Sequence, residues 1–122
     1  MHQIIVINEE NDQILMENGK IADHFLSRLK GLLGVKTVGD GEGLMILPCN
    51  MVHTIGMKTD IDVLFVSDEG KVFHVIHSMK PGKMSPCIKN ASYVIELPAG
   101  KVKRTGTIVG QKLSVYHVKE QA

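Results

Sequence analysis

Three side chains with versatile chemistry stand at equal four-residue steps in the stretch LPCNMVHTIGM, residues 47–57. They are Cys49, His53 and Met57, which carry a thiol, an imidazole and a thioether. On a strand, four residues span about 13 Å, so the thiol and the imidazole would share a face without touching. On a helical turn they would lie about 6 Å apart and would pair. Pro48 and Asn50 favour a break in the chain, which leaves both geometries open.

One interpretation of this spacing is a cysteine nucleophile, as in a hydrolase or a transferase. Cys49 would react as a thiolate, which a neighbouring imidazolium of His53 stabilises. Asp62 or Asn50 would orient the imidazole ring. The catalytic set under this hypothesis is therefore Cys49, His53 and Asp62.

Two other interpretations remain open for the same stretch. Cys49, His53 and Met57 are similar to the ligand loop of blue-copper proteins, although that loop leads into the last strand and here about 65 residues follow. Alternatively, Cys49 is a small buried hydrophobe, Met57 fills the core, and His53 and Thr54 bind backbone groups of a loop. No metal or other cofactor is predicted.

Two carboxylates occur inside apolar strand patterns, where a charge is costly unless it is hydrogen-bonded or paired. Asp62 lies near the start of the pattern IDVLFVS, and Glu96 lies within YVIELP, residues 93–98. If both point inward close to His53, they form a functional cluster. If the two carboxylates cap strand ends or face outward, they do not form such a cluster. The sequence leaves both options open.

The composition is typical of one soluble globular domain, expected to span residues 1–122. The formal net charge is +1, and no stretch approaches ~20 apolar residues, so neither a nucleic-acid partner nor a membrane is predicted. The N-terminal sequence lacks a signal-peptide pattern, so a cytoplasmic protein with reduced thiols is expected. The basic segment KVKRTG, from Lys101, is interpreted as a solvated loop.

Alternating apolar residues and turn signals predict a mainly β (α+β) fold, a small antiparallel sheet or barrel with one amphipathic helix. An N-terminal hairpin is expected over residues 1–18. The helix is predicted over residues 22–33, where apolar residues follow a helical rhythm and Gly34 is placed as a C-terminal cap. The predicted strands are 2–8, 13–18, 43–48, 61–67, 71–78, 92–98 and 112–118.

Short motifs follow one another in a fixed order over about residues 21–118. They are Arg28-x-x-Gly31-Leu32-Leu33-Gly34, Gly41-Glu42-Gly43-Leu44, Pro48-Cys49-x-x-x-His53-Thr54-x-x-Met57, Ile61-Asp62-Val63-Leu64-Phe65, Gly70-x-Val72, Lys80-Pro81, Glu96-Leu97-Pro98-Ala99-Gly100 and Gly110-x-x-Leu113. This ordered set resembles the prokaryotic domain of unknown function 192 family. Departures from the family pattern are Val35, Thr59-Asp60 and Gln111.

The resemblance implies a compact, mostly β bacterial or archaeal domain with one helix and no established biochemical activity. It also implies a site built from Cys49, His53, Thr54, Met57, Asp62 and Glu96, beside a loop shaped by Pro98–Gly100.

The function we expect is that of an accessory or binding domain. A polar pocket of His53, Thr54, Asp62 and Glu96 would hold a small ligand or a peptide of a protein partner. The alternative is the Cys49-dependent hydrolase or transferase, and a lesser alternative is copper binding.

Overall fold

β-Strands supply nearly all of the regular secondary structure in the computed structural model, which describes residues 3–22 and 38–118. Each described strand overlaps a predicted one, so the mainly β prediction is confirmed. The predicted helix over 22–33 falls outside the described residues except for Ala22, which ends a strand instead. The elements are β1 (Gln3–Asn8), β2 (Ile14–Ala22), β3 (Glu42–Ile46), β4 (Ile61–Val66), β5 (Val72–Met79), β6 (Tyr93–Pro98), α1 (Lys101–Arg104) and β7 (Leu113–His117).

These strands form one sheet in the order β5-β4-β6-β3-β2-β1-β7. All pairs are antiparallel except β2 with β3, which run parallel. The sheet curls into a half-barrel whose edges meet at one end. There Val72 donates its N–H to the Gln111 carbonyl at 2.9 Å and accepts the Gly110 N–H at 2.8 Å.

The sheet buries apolar side chains on both of its faces. All residues of β4 are buried, as expected for a central strand covered on both sides. Leu64 and Val66 belong to an apolar cluster that contains residues of every strand, which we call the inner cluster. We call the side of the sheet that carries it the inner face. Val63 and Val94 belong to a separate cluster on the opposite side, the outer face.

Two loops lie side by side against the outer face, and we call residues 49–57 and 80–88 the loop pair. Val52 and Met57 pack from the first loop into the outer apolar cluster. The two loops are joined by backbone hydrogen bonds, including one from the Ile88 N–H to the Asn50 carbonyl at 2.9 Å. The stretch that holds most of the predicted site residues is therefore fixed by a second loop about 30 residues further along the chain.

Candidate functional site

Asp62 is fully buried, and backbone donors occupy both of its carboxylate oxygens. Oδ1 accepts the Ser78 N–H at 2.8 Å, and Oδ2 accepts the Val102 N–H at 3.0 Å. Ser78 has a φ of 49° and lies in a bulge of β5, where a ladder hydrogen bond is lost. Val102 is in the first turn of α1, where N–H groups have no partner within the helix. Asp62 thus accepts hydrogen bonds from two backbone N–H groups that have no partner in the sheet or in the helix.

The basic segment from Lys101 forms helix α1 rather than the solvated loop predicted from the sequence. Val102 is buried in the inner cluster, and its N–H is capped by Asp62. Lys101 Nζ lies 2.7 Å from Asp40 Oδ1, and Arg104 lies 3.6 Å from the same oxygen. The hydrogen bond from Lys101 lowers the pKa of Asp40. Two of the basic side chains therefore face an acid of the same chain.

Thr54 is buried and fastens the loop pair. Its hydroxyl donates to the Lys80 carbonyl at 2.6 Å and accepts the Lys83 N–H at 2.9 Å. Its backbone N–H donates to the Lys83 carbonyl at 2.8 Å, and its carbonyl accepts the Gly82 N–H at 2.9 Å. The hydroxyl is thus engaged with backbone groups of the second loop.

His53 is exposed between the buried residues Val52 and Thr54. Because side chains alternate along an extended segment, the imidazole points away from the sheet. His53 forms an isolated antiparallel bridge with Met84, which is also exposed. The structure therefore places His53 on the outward side of the loop pair.

Cys49 and Met57 face the protein instead. Cys49 is half-buried and packs against the apolar clusters of the outer face, and its Sγ donates to the Met51 carbonyl at 3.2 Å. Met57 is buried in the outer cluster. Both Cys49 and the exposed Cys87 are thiols. The copper set of Cys49, His53 and Met57 is not gathered around one point, because His53 points outward and Met57 inward.

Glu96 lies in the middle of β6, directly opposite Leu44 of β3 and Val63 of β4. Its side chain is therefore on the outer face, between two apolar neighbours, and is only 5% exposed. No hydrogen bond or ion pair links its carboxyl to any residue within 3–22 or 38–118. Burial raises the pKa of Glu96 from 4.5 to about 7.

The two carboxylates singled out in the sequence lie on opposite faces of the sheet. Asp62 is paired with Leu97, whose side chain belongs to the inner cluster, whereas Glu96 is paired with Val63 of the outer cluster. Asp62 therefore does not approach Glu96 from the same side, and each of its oxygens accepts a backbone N–H from β5 or α1. The structure brings Cys49, Met57 and Glu96 to one face and leaves His53 and Asp62 apart from them.

Two features escaped the sequence interpretation. One is Met84, which lies beside His53 because the two loops pair with each other. Residues so far apart in the chain have no local sequence pattern that predicts their pairing. An open groove of about 410 Å³ also lies on the inner face, lined mainly by apolar side chains that include Met45, Tyr93 and Leu113. Burial raises the pKa of Tyr93 to about 12. Among residues 3–22 and 38–118, no three His, Cys, Asp or Glu side chains form a group able to hold a metal.

The fold and these side chains define a small β half-barrel domain with a buried carboxyl, that of Glu96, on the sheet face against which two hydrogen-bonded loops pack. The chain belongs to the DUF192 family, whose model, described as "Uncharacterized ACR", matches residues 6–115. The match begins inside β1 and so includes most of the first hairpin. No helix in the described part of the chain is long and apolar enough to cross a membrane.

Relatives and solved structures are similar over most of the chain. A UPF0127 protein of Pyrococcus abyssi is 31% identical over 114 residues, which cover 89% of this chain and 95% of that one. A UPF0127 protein of Thermococcus kodakarensis is 29% identical over 115 residues, covering 90% and 72% respectively. The crystal structure of a protein of unknown function from Novosphingobium aromaticivorans has a TM-score of 0.79 at 20% identity, covering 92% and 83%. This structural likeness shows a shared fold.

Proposed function

We propose that the chain is a binding domain rather than an enzyme, and that Glu96 is the group that contacts its ligand. The observation that carries this proposal is the buried carboxyl of Glu96, which has no partner among the described residues. A carboxylate between apolar neighbours is costly unless something pairs with it. A ligand that donates a hydrogen bond to this carboxyl would stabilise its charged form.

The ligand is a small polar molecule, or a side chain of a partner peptide, that donates hydrogen bonds. With a pKa of about 7, Glu96 is partly ionised at neutral pH, and its charged form accepts hydrogen bonds from an ammonium or an amide N–H. Binding of a cation would favour the ionised form further. Thr54 and Asp62 serve as positioning residues in this proposal, because they hold the loop pair and the bulge of β5.

The Cys49-dependent hydrolase or transferase has less support. Cys49 Sγ lies 3.2 Å from the Met51 carbonyl oxygen, a neighbour that accepts a hydrogen bond from a thiol but does not stabilise a thiolate. The carboxylate assigned to orient His53, that of Asp62, is occupied by two backbone N–H groups. A cytoplasmic location is part of our proposal, since both cysteines are thiols.

The test is a thermal-shift panel of small amines, amidines and amides, including ethanolamine, putrescine, guanidine and acetamide, at pH 8. We expect at least one compound to raise the Tm of the wild-type protein and to bind at least tenfold more weakly to Glu96→Gln, which keeps the side-chain shape without the charge. Glu69→Gln, at an exposed carboxyl, is the matched control and should bind as wild type. Equal binding by Glu96→Gln, or no binding by any compound, would contradict the proposal.

A further inference from the structure

His53 and Met84 form the closest type of side-chain pair that an antiparallel pairing offers. The Thr54 N–H donates to the Lys83 carbonyl and the Ser85 N–H to the Val52 carbonyl, each at 2.8 Å. These two bonds flank the bridge between His53 and Met84. Their arrangement marks a non-hydrogen-bonded pair, in which the Cα atoms are about 4.5 Å apart and the side chains emerge side by side.

Met51 presents a second thioether on the same side of the loop pair. It precedes His53 by two residues, and the buried Val52 between them shows that side chains alternate here. Met51 is 46% exposed and Met84 is 64% exposed. By contrast, the methionines elsewhere in the described residues are buried: Met16, Met45, Met57 and Met79. The two exposed methionines thus both flank the outward imidazole of His53.

We propose that Met51, His53 and Met84 form a binding site for a soft monovalent metal ion, Cu(I). Two thioether sulfurs and one imidazole nitrogen are ligands that favour Cu(I) over hard cations. The three ligands are uncharged and do not compensate a second positive charge, so a monovalent ion is favoured over a divalent one. This site lies on the outward side of the loop pair and is independent of Glu96.

The metal ligands differ from those expected from the even spacing of Cys49, His53 and Met57. Only His53 is common to both sets. In the proposed site, Met84 of the second loop takes the place of Met57, which is buried. Met51 takes the place of Cys49, because Met51 lies on the same outward side of the loop pair as His53. Thiols also bind Cu(I), so the experiment uses a chain that carries both Cys49→Ser and Cys87→Ser. The serine hydroxyl introduced by Cys49→Ser would keep a donor for the Met51 carbonyl.

The test is a titration of this chain with Ag(I), a redox-stable analogue of Cu(I), followed by NMR of the methionine ε-methyl groups. We expect one equivalent to shift the methyl signals of Met51 and Met84 and the ring signals of His53. The methyls of Met16, Met45, Met57 and Met79 should stay in place, which also shows that the fold is retained. If the Met51 and Met84 methyls do not move, the proposal is wrong.

Affinity is then measured by competition for Cu(I) with bicinchoninate without oxygen. Met84→Leu and Met51→Leu, which keep an apolar side chain of similar size, should each weaken binding at least tenfold. Met57→Leu is the matched control, because it removes a buried thioether from the same loop, and it should bind unchanged. Unchanged affinity in Met84→Leu, or an equal loss in Met57→Leu, would overturn the assignment.

Discussion

At the scale of single residues, Glu96 couples protonation to folding. Burial raises its pKa from 4.5 to about 7, so between these values the folded chain binds more protons than the unfolded chain. The stability that comes from its protonation is fully present below pH 4.5 and is lost as the pH rises through about 7. At ~1.4 kcal/mol per pKa unit, the loss amounts to at most ~3.5 kcal/mol.

Glu96→Gln should remove this pH dependence, because an amide does not titrate. We expect the variant to exceed the wild type in free energy of unfolding by about 1–3 kcal/mol at pH 8 and to approach it at pH 5. Urea denaturation of both proteins from pH 5 to pH 8 measures the difference. Glu69→Gln, at an exposed carboxyl, should run parallel to the wild type. A parallel curve for Glu96→Gln would instead show that its carboxyl is not desolvated.

The two thiols should differ in reactivity. Cys87 is exposed, whereas Cys49 is half-buried and donates to the Met51 carbonyl. Since alkylation needs an accessible thiolate, we expect iodoacetamide at pH 7.5 to modify Cys49 at least tenfold more slowly than Cys87. Mass spectrometry of Cys87→Ser and Cys49→Ser isolates each thiol. A Cys49 that reacts faster than Cys87 would favour the nucleophile hypothesis over the binding domain.

At the scale of elements, Asp62 connects β4, the bulge of β5 and the first turn of α1. Asp62→Ala would leave the N–H groups of Ser78 and Val102 without their acceptor, and bonds to a charged group are worth about 1.5–3 kcal/mol each. We expect a loss of roughly 3 kcal/mol or more in the free energy of unfolding, with faster hydrogen exchange at both amides.

The matched control for that substitution is Asp60→Ala. Asp60 pairs with the largely exposed Lys80 at 2.8 Å, and such surface ion pairs contribute about 0–1 kcal/mol. Urea denaturation and amide exchange compare the two variants directly. A similar cost for both would mean that the backbone donors near Asp62 find other partners.

The strands were predictable because their signals are local, whereas α1 was not. Alternating apolar residues and the turn Asp68–Gly70 mark β4 and β5 within a few residues of sequence. The segment Lys101–Arg104 is short and basic, and its first turn is capped by a carboxylate that lies about 40 residues earlier in the chain. A pattern within the segment carries no information about that contact.

The sequence was sufficient to single out individual residues of the candidate site, but it did not show which of them lie on the same face of the sheet. The sequence shows that Asp62 and Glu96 are costly in apolar strands, and both are indeed buried. Their faces depend on the register of β4 against β6, which aligns Asp62 with Leu97. A change of one residue in that register would exchange the faces, and no local pattern sets it.

At the scale of the whole molecule, closure of the half-barrel depends on Gly70. Its φ is 88°, and an added Cβ would lie 2.7 Å from the Leu113 carbonyl oxygen. The Leu113 N–H also donates to the Gly70 carbonyl at 2.8 Å. A side chain here would therefore push the start of β7 away from the turn before β5.

Gly70→Ala should destabilise the protein more than Gly82→Ala. Gly82 has a similar φ of 79° but nothing within 4 Å of an added Cβ, so its substitution costs only the left-handed backbone penalty of about 1–2 kcal/mol. We expect an additional loss of about 1–3 kcal/mol in Gly70→Ala, with faster exchange of the Leu113 amide. Equal costs for the two variants would mean that closure tolerates the contact.

The strand order also has a kinetic consequence. β1 pairs with β7, so the first and last described strands of the chain are neighbours, with Ile4 opposite His117. Proteins dominated by such distant pairings fold slowly, in milliseconds to seconds, because a long loop must close before the contacts form. On the ribosome, β1 has its partner β7 only after residues up to His117 have been synthesised. Until then, the N–H and C=O groups on that edge of β1 are unpaired and can form hydrogen bonds with a strand of another chain.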